Sequence, residues 1–182
     1  MALEDDLRRY LHERPGAPAD AILATRLVMR AAAQLRTRMD AALAPDGLHM
    51  RDYLALAIIH LHRGASLRPS DLSVSLDATR TQITRLLDAL ARQGLVERLP
   101  ATDDRRALQL ALTAAGEAKL AECAPRVHAA YREVWAGVVP LAPVLQGLRA
   151  LNARLHQSAD ADADASASRS CGSSAGHGTD GD

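Results

Sequence analysis

The sequence predicts a mainly α-helical fold with one small β-hairpin, and three observations support this fold class. Apolar residues recur at four-residue steps over positions 20–43, which is the spacing of an amphipathic helix. Two helical segments, 69–76 and 77–94, follow each other with only a tight turn between them. Two short apolar segments flank the charged sequence ATDDRR at 101–106, as the strands of a hairpin would.

Composition limits the chain to one ordinary core. Of its 182 residues, 48% are hydrophobic, which suffices for one compact domain with an appended module. Apolar runs such as YLALAIIHL at 53–61 are too short to span a bilayer. The N-terminal residues are charged where a signal peptide would be apolar. We therefore expect a soluble, cytoplasmic protein with no membrane partner.

The formal net charge of zero conceals an asymmetry along the chain. Residues 158–182 hold five Asp and one Arg, so the remaining residues hold 21 basic and 17 acidic side chains, a balance of +4. Small polar residues, Gly and Asp bury too little apolar surface to offset the entropy of the chain. We therefore expect an N-terminal extension over 1–19, a mildly basic folded region over 20–157 and a disordered acidic tail over 158–182.

The first two predicted helices precede the paired segments. The helix over 20–43 has its apolar residues on one stripe. The sequence PDGL at 45–48 ends it, and HMRDYLALAIIHLH at 49–62 predicts a second, strongly apolar helix. The stripe of the first helix consists of Leu23, Leu27, Ala31, Leu35, Met39 and Leu43.

Capping residues delimit the paired helices. A proline begins the segment 69–76, Asp77 is an N-cap candidate for the segment 77–94, and Gly94 is a typical C-terminal residue. The longer helix is expected to be amphipathic. Its apolar face consists of Ile83, Leu86, Leu87 and Leu90, and its polar face of Thr81, Arg85, Asp88 and Arg92.

The hairpin and the last helices complete the element order. We predict strands over 95–100 and 107–113, a helix from about Ala114 that Pro125 interrupts or kinks, and a final helix from about Pro140 to His156. A short helix, a turn, a polar-faced helix and a charged hairpin form the layout of a winged helix-turn-helix. In that layout a helix reads the major groove of DNA and the hairpin tip reaches the minor groove.

The residues themselves resemble the MarR family of bacterial transcription regulators over roughly 20–157. The stretch DDRRALQLALT at 103–113 is similar to the family's wing, and RTQITRLLDALARQGLVER at 80–98 is similar to its recognition helix and first wing strand. Within the family, ILATRLVM, LRPSDLSVSLDATRT and DDRRALQLALT most resemble the multidrug-efflux repressor branch of the EmrR type. The fold expected from this is a winged lobe at about 50–113 fused to an all-α dimerisation region at about 20–43 and 114–157.

The resemblance implies a homodimer on pseudo-palindromic double-stranded operator DNA. It implies that the wing arginine Arg106 enters the minor groove, that Asp104 orients it and that Arg105 meets phosphate. It assigns base and phosphate contacts on the recognition helix to Arg80, Thr81, Gln82 and Arg85. From the residues alone, the hairpin can also be a solvated charged turn and the helix face an ordinary solvated face.

The resemblance also implies a repressor released by a small aromatic, phenolic or lipophilic effector. Thr84 and Arg98 fall where the founding member of the family binds salicylate. Arg98 can pair with an anionic ligand, or with Glu97 or another acid of the chain.

Other chemistry has weaker support in the sequence. His60 and His62, with His49 nearby, have poor spacing for a metal, since residues two apart on a helix point in different directions. Cys123 is expected to be a buried thiol. No enzyme motif and no cofactor motif occurs, so we expect a protein that is not an enzyme and has no cofactor. A thiol- or metal-responsive regulator of the same fold and a dimeric scaffold that does not bind DNA are the alternatives.

Overall fold

The computed structural model describes residues 2–12, 14, 16–63, 67–100, 108–138 and 140–171. These residues form seven α-helices, one turn of 3-10 helix at Ala44–Asp46 and one two-stranded sheet. The elements are α1 (Ala2–His12), α2 (Ala19–Leu43), α3 (Met50–Leu61), α4 (Pro69–Ser75), α5 (Arg80–Arg92), β1 (Val96–Pro100), β2 (Leu108–Leu112), α6 (Ala114–Trp135) and α7 (Leu141–Cys171). The mainly helical class with a single hairpin is confirmed.

The chain divides into two compact units, Met1–Val134 and Trp135–Asp182. The first unit holds the winged lobe, and one continuous core fills it. Leucines dominate this core, and Tyr53 is its only aromatic residue among the side chains that the structure describes. The largest of its fully buried side chains are those of Leu43, Leu48, Leu56, Ile59, Leu72, Ile83, Leu87, Leu90, Cys123 and Val127. In the described ranges no helix is long and apolar enough to cross a membrane.

The turn between α4 and α5 differs from the sequence prediction at its capping residue. Asp77 has φ of 47°, in the left-handed region, so it lies in the turn and does not cap α5. Thr79 is the N-cap, with its Oγ1 accepting a hydrogen bond from the backbone N of Gln82 at 3.3 Å. Gln82 Oε1 accepts one from the backbone N of Thr79 at 2.9 Å. This reciprocal capping box fixes the first turn of α5.

The hairpin is held on both edges of its returning strand. β1 and β2 are antiparallel, with Arg98 opposite Leu110. On the other edge of β2, the backbone N of Leu110 donates to the carbonyl of Leu67 at 3.1 Å, just before α4 begins. The hairpin is therefore fixed directly to the helix-turn-helix. Its tip, residues 101–107, lies outside the described residues.

Thr113 joins the hairpin to α6 with no intervening linker. Its backbone N donates to the carbonyl of Leu95 at 3.1 Å, and its Oγ1 donates to the carbonyl of Gly94 at 2.6 Å. The same Oγ1 accepts from the backbone N of Gly116 at 3.0 Å, so it also caps α6. A single threonine thus connects the turn before β1, the end of β2 and the first turn of α6.

Helix α6 is continuous through Pro125, so of the two outcomes predicted from the sequence, an interruption or a kink, the interruption is wrong. A proline inside a helix lacks the N–H that would bond to the carbonyl four residues earlier, which here belongs to Ala121. Both Ala121 and Pro125 are exposed, so that carbonyl faces solvent. Leu120, Cys123 and Val127 on the opposite side are buried and hold the helix against the core.

Helix α7 extends further than expected. It continues to Cys171, whereas we predicted disorder from residue 158. The added segment alternates alanine with Asp and Ser, and alanine is the residue most favourable to a helix. Extending an existing helix avoids the cost of nucleation, which the compositional prediction did not consider. The last part of the predicted tail, 172–182, lies outside the described residues.

Candidate nucleic-acid interface

The predicted DNA-reading residues of α5 share an exposed surface. Arg80, Thr81, Gln82 and Arg85 are all exposed, while Ile83, Leu86, Leu87 and Leu90 bury the opposite face. Burial of one face fixes the rotation of the helix about its axis, so the polar face must point outward. Among the described residues, Arg80 and Arg85 have no ion-pair partner. Their guanidinium groups are therefore available to phosphate oxygens and to guanine.

Gln82 has a structural role besides the predicted contact. Its side-chain oxygen accepts the capping hydrogen bond from Thr79, which leaves its NH₂ group to donate outward. The residue is therefore held in one orientation before any partner arrives. The predicted wing residues Asp104, Arg105 and Arg106 lie in 101–107, outside the described residues, so their roles stay predictions.

A cavity of about 360 Å³ lies between α4 and α5. Thr84 lines it, and Thr84 Oγ1 donates to the carbonyl of Arg80 at 2.9 Å. The Oγ of Ser73 is buried and has no hydrogen-bond partner within the described residues, although a buried hydroxyl normally finds one. The cavity lining consists of Pro69, Ser70, Ser73, Arg80, Ile83 and Thr84.

Arg98 is paired within the chain. Its Nη2 lies 2.8 Å from Asp88 Oδ1, and the side chains of Arg98 and Asp88 are 36% and 52% exposed. The acid that pairs with Arg98 in the structure is therefore Asp88 rather than Glu97, and pairing of Arg98 with an anionic ligand stays a prediction. Arg98 is not among the residues that line the Thr84 cavity. The pair also neutralises an acid on the face of α5 that carries Thr81 and Arg85.

Sequence reasoning missed a second charged cluster, centred on Asp46. The Asp46 carboxylate is only 3% exposed, forms an ion pair with Arg126, and lies 3.5 Å from Lys119 Nζ. Burial raises the pKa of this carboxyl, but hydrogen bonds from Arg126 and Cys123 and the nearby positive charges outweigh it, so the pKa is below its ordinary value. The cluster ties the 3-10 turn after α2 to the middle of α6. Its members lie up to 80 positions apart, and no local pattern marks them.

Cys123 belongs to this cluster and is fully buried, as the sequence predicted. Burial raises the pKa of its thiol, and the negative charge of Asp46 raises it further. Because the thiolate is the reactive form, this environment suppresses oxidation. The position favours a structural thiol over a redox sensor.

The histidines are not brought together. His60 Nδ1 lies 2.6 Å from Glu117 Oε2 on α6, and His62 Nδ1 lies 2.9 Å from the carbonyl of Ile58. In the part of the chain that the structure describes, no group of three metal-binding side chains occurs.

Proteins similar to this chain are bacterial transcription regulators. The MarR family sequence model matches residues 48–108. The transcriptional repressor MprA of Escherichia coli is 33% identical over 121 residues, 66% of this chain and 69% of MprA. MprA is of the EmrR type, so this similarity confirms the branch indicated by the sequence. The HTH-type transcriptional regulator PrsX of Escherichia coli is 32% identical over 114 residues, 63% of this chain and 69% of PrsX.

Solved structures with the same fold include proteins bound to DNA. The transcriptional regulator MosR of M. tuberculosis in complex with DNA is 33% identical, with a TM-score of 0.62, covering 76% of this chain and 96% of MosR. A mutant MarR of E. coli complexed with operator DNA is 25% identical, with a TM-score of 0.63, covering 75% of this chain and 95% of MarR. By sequence and by winged helix-turn-helix fold, the chain belongs to the MarR family, whose members are DNA-binding transcriptional regulators and not enzymes.

Proposed function

We propose that this MarR-family regulator binds a pseudo-palindromic operator as a homodimer and leaves it when a small aromatic, phenolic or lipophilic effector binds. The observation that carries the DNA-binding part is the exposed face of α5, where Arg80 and Arg85 have no ion-pair partner among the described residues. The solved structures of MosR with DNA and of mutant MarR with operator DNA support the same use of this fold.

In the proposed complex, the first two turns of α5 enter the major groove. Thr81, Gln82 and Arg85 contact bases and phosphates there, and Arg80 contacts phosphate. Arg106 enters the minor groove, with Asp104 orienting it and Arg105 on phosphate. The proposed contact ends before Asp88, because a carboxylate that faces phosphate is unfavourable, and Arg92 at the C-terminal end of α5 lies outside it.

Homodimer formation is supported by apolar side chains that this chain leaves uncovered on its long helices. On α2, Leu27 is 46% exposed and Met29 is 69% exposed. On α7, Leu145 is 50% exposed and Leu155 is 59% exposed. Exposed apolar surface of this kind marks protein interfaces, and a two-fold dimer would present two winged lobes to two half-sites.

The effector site is proposed beside α5, on the side of Thr84 and Arg98. The cavity at Thr84 offers hydroxyl groups and an arginine next to apolar Ile83 and Pro69, which suits a small aromatic compound with one polar group. An effector releases DNA only by binding more tightly to the conformation that does not fit the operator. We propose that this conformation spaces the lobes differently from successive major grooves.

Binding to the DNA upstream of the protein's own coding region tests the DNA-binding proposal. Arg85→Ala and Arg106→Ala are each expected to weaken binding by about 1–3 kcal/mol and to leave the dimer intact. Arg92→Ala is the matched control, because it removes the same charge from the same helix outside the proposed contact. Fluorescence anisotropy over a series of salt concentrations measures the affinities, and sedimentation measures the dimer.

Two results would contradict the proposal. Equal losses for Arg85→Ala and Arg92→Ala would mean that α5 attracts DNA only through its total charge. Wild-type protein without salt-dependent binding would favour a scaffold that does not bind DNA. For the effector site, Arg98→Ala should weaken ligand-induced release, and full release by that variant would place the effector elsewhere.

A further inference from the structure

We propose that Asp88 is an internal counter-ion for Arg98 and sets how strongly the effector site binds organic anions. This inference rests on the proposed function, which puts the effector site on the side of Thr84 and Arg98, and it adds that an acidic effector pairs with Arg98. Because the Asp88 carboxylate engages Nη2 of the guanidinium, a ligand carboxylate must compete with it for that nitrogen and is repelled by its charge, whereas an uncharged analogue is not repelled. Asp88 is thus a specificity-determining residue that discriminates against anions.

The geometry of the hairpin directs Arg98 towards Asp88. Arg98 lies opposite Leu110 in the β ladder, and Leu110 is buried, so both side chains are on the face of the hairpin that packs on the helices. Glu97 and Leu99 alternate to the other face. The Arg98 guanidinium therefore lies along α5, where its Nη2 is 2.8 Å from Asp88 Oδ1.

The position of Asp88 on α5 puts it beside the proposed effector site. Thr84 and Asp88 are four residues apart, so they lie on one side of the helix at a separation of about 6 Å along its axis. A ligand carboxylate bound next to Thr84 and reaching towards Arg98 would approach the Asp88 carboxylate. It would meet both competition for the guanidinium and repulsion from a like charge.

The exposure of the pair fits a displaceable counter-ion. With Arg98 36% and Asp88 52% exposed, water screens the pair, so it is weaker than a buried salt bridge. Such a pair orients the Arg98 guanidinium, and a competing ligand can still break it. The effect of Asp88 on anion affinity is therefore expected to stay within the few-fold range of an exposed ion pair.

The test is calorimetric titration of the full chain without DNA, using salicylate as the anionic probe and salicylamide as its uncharged analogue. Asp88→Asn keeps the shape of the side chain and removes its charge. It is expected to strengthen salicylate binding by about two- to fivefold, the range of an exposed ion pair, and to leave salicylamide binding unchanged. Glu97→Gln is the matched control. It also removes one negative charge, but Glu97, the residue before Arg98, points to the opposite face of the hairpin.

A double-mutant cycle separates the ion pair from other effects of the substitution. In an Arg98→Met background, Asp88→Asn should no longer strengthen salicylate binding, because the group it frees is absent. An equal gain for salicylamide, an equal gain from Glu97→Gln, or a gain that persists without Arg98 would each overturn the counter-ion role.

The two proposals fail in different ways. If Arg98→Met weakens salicylate binding while Asp88→Asn leaves it unchanged, Arg98 binds the anion but Asp88 does not regulate it, and only the counter-ion role is rejected. If Arg98→Met leaves salicylate binding unchanged, or if none of these proteins binds salicylate, both the anion site at Arg98 and the counter-ion role of Asp88 are rejected.

Discussion

Gly116→Ala is predicted to be strongly destabilising, because the first turn of α6 packs directly against the backbone before β1. A Cβ at position 116 would lie 2.0 Å from the carbonyl oxygen of Leu95, and such contacts essentially never fall below 3.0 Å. The obstacle is backbone, so no side-chain rotation relieves it. The α6 terminus and the 94–95 turn must move apart.

The magnitude follows from what that movement disturbs. Overpacking of this kind costs about 1–3 kcal/mol. The Thr113 hydrogen bonds to Leu95 and Gly94 cross the same junction, and each weakened bond adds about 0.5–1.5 kcal/mol. Alanine in a helix recovers about 0.5–1 kcal/mol relative to glycine. We expect a net loss of about 1–5 kcal/mol in the free energy of unfolding.

Urea unfolding followed by circular dichroism measures this loss, and Gly147→Ala is the control. Gly147 lies inside α7, and a Cβ there meets nothing within 4 Å, so alanine should stabilise α7 by helix propensity alone. If Gly116→Ala and Gly147→Ala change the free energy of unfolding equally, the steric reasoning at the junction is refuted. Because the wing is fixed to this junction, Gly116→Ala should also weaken operator binding.

Three further predictions concern single side chains. Thr79→Ala removes the hydroxyl that caps α5 and should cost about 1 kcal/mol in urea unfolding, whereas Thr79→Ser should cost much less. Asp46→Asn should lower the free energy of unfolding most at pH values above 3.8, the ordinary pKa of the carboxyl, and progressively less as the pH falls. The sign follows because the folded-state pKa of Asp46 is lowered, so protonation removes the stabilising charge; an equal deficit at neutral and acidic pH would contradict it. In a Cys171→Ser background, Cys123 should react with a thiol reagent only at the rate of unfolding, and rapid labelling of the folded protein would revive a redox role.

The helices and strands of the lobe could be predicted because their signals are local. Apolar spacing placed α2, α3 and α5 within a few residues of their observed bounds, and the alternating segments on either side of ATDDRR placed both strands. The N-cap was misplaced because Asp77 and Thr79 are both good capping residues. The sequence did hold the deciding signal, which is Gln82 three residues after Thr79 in a capping box.

The charged pairs were less predictable because their partners meet only in the folded chain. Asp88 and Arg98 are ten positions apart on different elements, and their contact requires the hairpin to pack on α5. Asp46 and Arg126 are 80 positions apart, so no sequence pattern near either residue indicates its partner. The end of α7 was predicted wrongly for a different reason. A composition poor in large apolar residues disfavours a core but does not prevent an isolated alanine-rich helix.

Because of the hydrogen bonds at Thr113, α6 and the hairpin move together as one rigid unit. Because no flexible residue separates β2 from α6, a tilt of the helix must turn the hairpin with it. With 22 residues, α6 is about 33 Å long, so a tilt of about 5° moves its far end by about 3 Å relative to its near end. In the proposed complex, the hairpin would convert displacement at the distant end of the helix into a change of angle at the DNA. Sequence changes far from the operator could then alter affinity without touching any contact residue.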